Sequence, residues 1–300
     1  MAKATTKTET VKTETLNTET TKANLARTSA VAIPPPDFSA DAGRGMEGAS
    51  QESFAIPFLT VLQKGSPQVD EASGVALEGA RQGMFFENVT GKLYDGKAGI
   101  LIVPAAYRRV FLRWAPKDSS GGFKGELLPE EVANLRAAGK LVELDGKLLF
   151  PLPDGSVNEK KCDRVADVRN HYVLLLGEDG SWTQALLSLG STQIKKSKML
   201  MSALASVKLS GTAGLYTPAT WANCVRVTTV PESNDKGNWM GVRFELAGQV
   251  KRADQYQAGK AFNDSVRKGS VESKYEDAAP AYEDHTTVDE KAPGTAGGSF

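Results

Sequence analysis

The sequence predicts a mainly β protein with a few helices, of the α+β class, in which an OB-like five-stranded barrel has a helix between strands three and four. Two observations predict this fold. Runs of β-branched and aliphatic residues, bounded by Gly, Asp and Asn, form five strand-like segments. A segment with apolar residues at helical spacing follows the third of them, and the resulting β-β-β-α-β-β order is that of an OB barrel.

The elements of the predicted barrel follow one another between residues 99 and 250. The acidic turn 178–180 joins the second strand to the third, and the polar turn 233–237 joins the fourth to the fifth. In chain order the segments are the strands 99–114, 168–176 and 181–189, the helix 191–209, and the strands 220–230 and 239–250.

Three regions are predicted around this barrel. Residues 1–50 form a disordered Thr/Glu/Pro-rich arm, because their repeated Thr-Glu-Thr units contain almost no apolar side chains. Residues 51–271 form a single OB-like domain, with an insertion at about 125–161 between the first two barrel strands. Residues 272–300 form a disordered acidic tail.

The distribution of charge is more informative than its total. The chain has 36 basic and 36 acidic residues, so the sum favours no partner. Residues 51–271 contain 28 basic and 23 acidic residues, whereas residues 272–300 contain 2 and 7. A mildly basic domain is therefore joined to an acidic tail. With two cysteines and no apolar run long enough to span a bilayer, the expected location is cytoplasmic, without membrane contact.

Catalytic and metal-binding patterns are missing from the sequence. It contains no GxxxxGK[ST], GxSxG or HExxH motif. Its two histidines, His171 and His285, are too few to favour a zinc site. We therefore expect no enzyme activity, no catalytic residue, no metal and no cofactor.

The strand 99–114 provides the main binding signal. Successive side chains of a strand point to opposite faces. One parity holds the apolar set Ile100, Ile102, Val110, Leu112 and Trp114, and the other holds Tyr107, Arg109, Phe111 and Arg113. Proteins that bind single-stranded nucleic acid combine basic groups with aromatic platforms on which bases stack. The second parity supplies both groups, and the sequence therefore predicts single-stranded DNA binding.

Further basic and aromatic residues extend this predicted interface. Between residues 188 and 252 the chain has 9 basic and 3 acidic residues. The predicted DNA-binding set is Tyr107, Arg108, Arg109, Phe111, Arg113, Trp114, Lys117, Trp182, Lys195, Lys196, Lys198, Arg226, Trp239 and Arg243.

The element order over 99–250, followed by an acidic tail that ends in Phe300, resembles bacteriophage single-stranded DNA-binding proteins. The resemblance implies non-sequence-specific binding during phage DNA replication or recombination, in the cytoplasm of an infected bacterium. It also implies that the tail and Phe300 contact replication or recombination proteins. The sequence leaves open whether the protein forms a homo-oligomer.

A second interpretation is a structural protein of a virus particle or another assembly. The arm and its Pro-rich linker would then become ordered on contact with neighbouring subunits. The balanced total charge and the two low-complexity ends agree with this alternative.

Overall fold

The computed structural model describes residues 38–49, 53–116, 119, 122–235, 237–271 and 275. Of these, residues 38–47 belong to one compact unit and those from 48 onward to a second. The first unit contains the 3-10 turn Phe38–Asp41, and Arg44 forms an ion pair with Asp41 at 3.0 Å. Most of the predicted arm and the predicted tail lies outside the described residues, so the predicted domain limits stay predictions.

The second unit is mainly β, with thirteen strands and three α-helices among its described residues. The helices are α1 (Pro129–Ala137), α2 (Ile194–Ser206) and α3 (Ala253–Lys268). The strands are β1 (Leu59–Val61), β2 (Phe85–Glu87), β3 (Leu93–Tyr94), β4 (Ile100–Trp114), β5 (Phe123–Leu127), β6 (Val142–Leu144), β7 (Lys147–Leu149), β8 (Arg164–Leu176), β9 (Trp182–Gly190), β10 (Leu209–Gly211), β11 (Gly214–Tyr216), β12 (Asn223–Asn234) and β13 (Gly237–Gln249).

The long antiparallel pair of β4 and β8 forms the centre of an eight-stranded sheet. Each central strand changes partner along its outer edge. Strand β4 pairs with β12 at residues 100–102 and with β5 at residues 111–114. Strand β8 pairs with β7 at residues 164–165 and with β9 at residues 168–176. The insertion between β4 and β8 therefore extends the sheet at one end, and β9, β12 and β13 extend it at the other.

The path β13-β12-β4-β8-β9 follows the predicted strand order, with α2 after β9. Within the described part of the chain no sheet closes, because β9 and β13 are not paired. Segment β1 lies between them. Phe58 forms a parallel bridge with Leu186, and the Gln63 side chain hydrogen-bonds the backbone N–H and C=O of Met240. The mainly β fold with helices is confirmed, whereas a closed five-stranded barrel is not.

Apolar side chains cover both faces of the central pair, which explains why β8 is almost continuously buried. On one face, below α2, the cluster contains Ile100, Ile102, Val173, Leu175, Leu187, Leu200 and Val227. On the other face, below α3, it contains Val103, Val110, Leu112, Tyr172, Leu174, Phe262 and Val266.

A β-bulge in β4 changes which residues of this strand share a face, so the predicted faces are partly wrong. The register shifts between Pro104 and Ala106, so one residue is extra and the alternation changes phase. Ile100 and Ile102 consequently pack below α2, whereas Val110 and the following even-numbered residues pack below α3. The expectation that all five apolar residues share one face is wrong for this reason.

Helix α3 and Tyr275 complete the second apolar cluster. Phe262 and Val266, one helical turn apart, are both buried, and the helix ends at Gly269 with a left-handed φ of 75°. Tyr275 is 1% exposed, and its ring centroid lies 5.3 Å from that of Phe58. Its hydroxyl accepts a hydrogen bond from the Asn170 side chain. Residue 275, predicted to lie in a disordered tail, therefore belongs to the core.

The contribution of α3 can be tested with Phe262→Ala. Removing a fully buried aromatic ring should lower the free energy of unfolding by about 3–5 kcal/mol, because both transfer energy and cavity formation oppose the change. Lys260→Ala changes an exposed position of the same helix and should alter stability by less than about 0.5 kcal/mol. Urea denaturation followed by circular dichroism measures both. Equal effects would contradict the packing described.

Candidate nucleic-acid interface

A band of polar residues crosses the α2-side face of β4 and β8 between two apolar clusters. The cluster below α2 lies at one end, and a smaller cluster of Phe111, Val132, Leu141 and Val165 lies below α1 at the other. Between them the strand register places Tyr107 opposite His171 and Arg109 opposite Arg169. We use the term polar band for Tyr107, Arg109, Asp167, Arg169 and His171.

Tyr107 is the aromatic side chain of the polar band that reaches the surface, with 36% of the residue exposed. Its hydroxyl accepts a hydrogen bond of 3.1 Å from Arg169 Nη1. Its ring centroid lies 5.3 Å from that of His171. The ring is thus held in place by its neighbours while remaining accessible.

Asp167 links the two arginines of the polar band. It accepts two hydrogen bonds from Arg109, at 3.1 and 2.7 Å, and one from Arg169 at 2.9 Å. The hydrogen bond to Asp167 raises the pKa of Arg109 further above its usual range. The Arg109 guanidinium also lies 4.8 Å from the Phe111 ring centroid. With two cations and one carboxylate, the band has a surplus of one positive charge.

A second carboxylate holds Arg113. Asp163 accepts a 2.7 Å hydrogen bond from Arg113 Nε and a 2.8 Å bond from Lys124 Nζ. Burial raises the pKa of Asp163, but these bonds stabilise the charged form more, and the pKa lies below its usual value. The Arg113 guanidinium packs 3.9 Å from the Phe150 ring centroid. Arg113 is therefore already engaged within the protein.

Two aromatic residues of the predicted DNA-binding set, Phe111 and Trp114, are buried. Phe111 and Trp114 are each 5% exposed. Phe111 packs below α1, and Trp114 meets Phe123 edge-on at 5.6 Å in the cluster below α3. The insertion covers Phe111, whereas Trp114 lies on the opposite face with Val110 and Leu112. The prediction that Tyr107 and Phe111 share one exposed surface is therefore wrong. DNA contact by the other residues of the set stays a prediction.

Helix α2 packs next to the polar band through Ser197. Ser197 lies in the helix, and its Oγ is 2.7 Å from His171 Nε2, directly beside Tyr107. Lys195 and Lys198 are exposed. The structure therefore brings Tyr107, Arg109 and this helix together.

Lys196 and Trp239 meet at Glu232. Lys196 Nζ lies 2.6 Å from Glu232, and Trp239 Nε1 donates a 2.9 Å hydrogen bond to it. Gln193 donates a third bond at 3.0 Å. Burial raises the pKa of Glu232, but these three donors lower it more, so the net shift is downward. The cluster fastens α2 to the β12–β13 hairpin and leaves neither Lys196 nor Trp239 uncommitted.

The other predicted residues lie elsewhere. Trp182 is exposed at the start of β9, and Arg226 and Arg243 are exposed on β12 and β13. Arg108 lies on the α3 side of β4, beside a cavity of about 380 Å³ that Asn263 and Arg267 also line. Lys117 and Phe300 lie outside the described residues.

Sequence reasoning missed Asp163, Asp167, Arg169 and Lys124, which hold the predicted arginines. The signal that finds them is the register of β4 against β8, which aligns Arg109 with Arg169. A tight hairpin would have revealed that register, but here an insertion separates the two strands.

His171 is buried beside Ser197 without a carboxylate. Burial lowers the pKa of His171 from 6.5 to about 4, so the imidazole is neutral at pH 7. Among the described residues no group of His, Cys, Asp and Glu forms a metal site. None of the helices in the described ranges is long and apolar enough to cross a membrane.

The model of the Pam3 phage gp34-like protein family matches residues 6–272, and the chain belongs to this family. The expected bacteriophage context is thereby confirmed. Comparison with curated proteins finds no match. Comparison with solved structures finds none either.

The buried histidine predicts a specific loss of stability in acid. Between pH 6.5 and about 4 the unfolded chain binds a proton at residue 171 that the folded protein excludes, so stability falls as the pH falls. The loss should reach about 3 kcal/mol near pH 4. Above pH 7 this group has no effect.

The double variant His171→Phe/Ser197→Ala removes the titrating group together with its partner. Urea denaturation of the variant and the unchanged protein at pH 7.5, 5.5 and 4.5 measures the difference. The variant should lose distinctly less stability over this range. An unchanged pH dependence would show that His171 titrates normally.

Proposed function

We propose that the protein binds single-stranded DNA without sequence specificity, during phage DNA replication or recombination. The observation that carries the proposal is Tyr107, an exposed ring fixed by Arg169 and flanked by Arg109 and α2. A fixed aromatic ring offers a surface on which any base stacks, worth roughly 1–3 kcal/mol per base. In this proposal Arg109, Lys195 and Lys198 contact the phosphates of the bound strand.

An OB-like topology supports the same proposal. The path of β4, β8 and β9, then α2, then β12 and β13 has the OB order, and β12 returns to pair with β4. OB folds bind oligonucleotides mainly on the face of their second and third strands. In this chain α3 and Tyr275 cover that face of β8. We therefore propose that the strand lies on the opposite face, along the polar band.

The ion pairs limit the strength of the proposed interaction. Asp167 and Asp163 neutralise part of the charge of Arg109 and Arg113. Both arginines of the polar band are thus already paired with a carboxylate, so modest affinity with a shallow salt dependence is expected. Such binding suits a protein that coats a strand transiently and releases it.

Titration with oligo-dT, followed by tryptophan fluorescence, tests the proposal. Tyr107→Ala should weaken binding about tenfold, because one stacked base is lost. Tyr216→Ala removes a half-exposed tyrosine from the β10–β11 hairpin and should leave affinity unchanged. Binding that is absent in the unchanged protein would refute the proposal.

The lysines of α2 can be examined through salt dependence. Replacing Lys195 and Lys198 by Gln should reduce the slope of log K against log salt by about 1.4, since each phosphate contact on a single strand contributes about 0.7. Lys260→Gln with Lys268→Gln, on α3, is the matched control. Equal slopes in both pairs would remove α2 from the interface.

If the protein binds no DNA, the alternative of a structural protein of the virus particle is tested next. The protein would then be sought in purified phage particles by quantitative mass spectrometry. A stoichiometric amount in the particle, relative to the major structural proteins, would support that role.

A further inference from the structure

Strand β13 is an edge strand whose outer backbone groups are only partly occupied. Its inner edge pairs with β12 along the whole strand. On the outer edge, Gln63 binds both the N–H and the C=O of Met240, and Gln193 Oε1 accepts the N–H of Val242. Backbone groups of an edge strand point outward at every second residue. The outward groups of β13 are thus those of the even-numbered residues.

Side-chain hydrogen bonds of this kind to the outer edge of β13 end at Val242 within the described residues. The outward groups of Phe244 and Leu246 meet no hydrogen-bond partner among the described residues. Leu246 is 44% exposed. An uncovered strand edge of this kind is a template for another strand.

We propose that this edge pairs with the same edge of a second copy of the chain, antiparallel and centred on Phe244. Phe244 then faces its own counterpart and exchanges two backbone hydrogen bonds with it. Arg243 lies opposite Glu245 of the partner subunit, and Glu245 lies opposite the partner subunit's Arg243. Because the two copies are related by a twofold axis at Phe244, the dimer contains two equivalent ion pairs.

Charge complementarity selects the second copy and the register. Arg243 and Glu245 are both exposed on the same face of β13, and neither forms an ion pair within the described residues. In the Phe244-centred register they occupy non-hydrogen-bonded positions, where facing side chains are closest. A register centred on residue 243 would place arginine against arginine, and one centred on 245 would place glutamate against glutamate.

The strand geometry keeps the proposed contact short. The register of β13 against β12 shifts at Ala247, and Gly248 has a φ of 100°. Such a bulge twists the edge and stops further pairing. On the other side Gln63 blocks Met240. The ladder therefore consists of the two bonds between the Phe244 residues and, at each end, one bond from the Leu246 N–H to the Val242 C=O, because Gln193 already binds the Val242 N–H. A weak, concentration-dependent dimer is expected.

Sedimentation equilibrium of the full chain, without DNA, tests the proposal through a charge exchange. Arg243→Glu places glutamate against glutamate and should raise the dimer Kd about tenfold or more. Glu245→Arg places arginine against arginine and should do the same. The double variant Arg243→Glu/Glu245→Arg recreates both pairs with opposite polarity and should recover the original Kd.

Lys260→Glu, on α3, controls for the change in net charge and should leave the dimer intact. Thermal unfolding of every variant verifies that the fold is kept, which is expected because both changed side chains are exposed. A monomer at all concentrations overturns the proposal, as does a double variant that dimerises no better than the single ones. Since DNA is absent from the assay, the result is independent of the proposed DNA binding.

Discussion

The antiparallel pairing of β4 and β8 is the constraint on which the rest of the structure depends. Both strands are long, and each changes its outer partner along its length, so two groups of strands share one central pair. Both faces of that pair are covered by apolar side chains. The position of each of the three helices follows from this pair. Helices α1, α2 and α3 each cover a part of its apolar surface that would otherwise face solvent.

The polar band shows how the same pairing accommodates charge within a covered sheet. Arg169 is almost buried, and a buried guanidinium is tolerable only where acceptors meet it. Asp167 and the Tyr107 hydroxyl provide them. This network fixes the orientation of Tyr107, and the reduction in free positive charge is the cost. The same contacts that hold the proposed binding surface in place thus limit its electrostatic attraction.

Element order was largely predictable because it depends on local signals, such as the turns at 178–180 and 233–237. The strand faces were not, since a single extra residue at the β4 bulge reverses the alternation and leaves no composition signal. Tyr107 and the lysines of α2 were proposed from residue type, and their contact with DNA stays a prediction. Burial of Phe111 was missed because the covering helix α1 comes from an insertion, and the partners Asp163 and Asp167 depend on long-range register.

Tyr275 bears on how the protein is made. It is the most C-terminal described residue of the core, and it packs against Phe58, which lies more than 200 positions earlier in the chain. A chain still attached to the ribosome cannot complete this cluster until residue 275 has emerged. Until then the Tyr275 ring does not cover the apolar side chains of β4 and β8 below α3. Nascent chains released early would therefore be prone to degradation or aggregation.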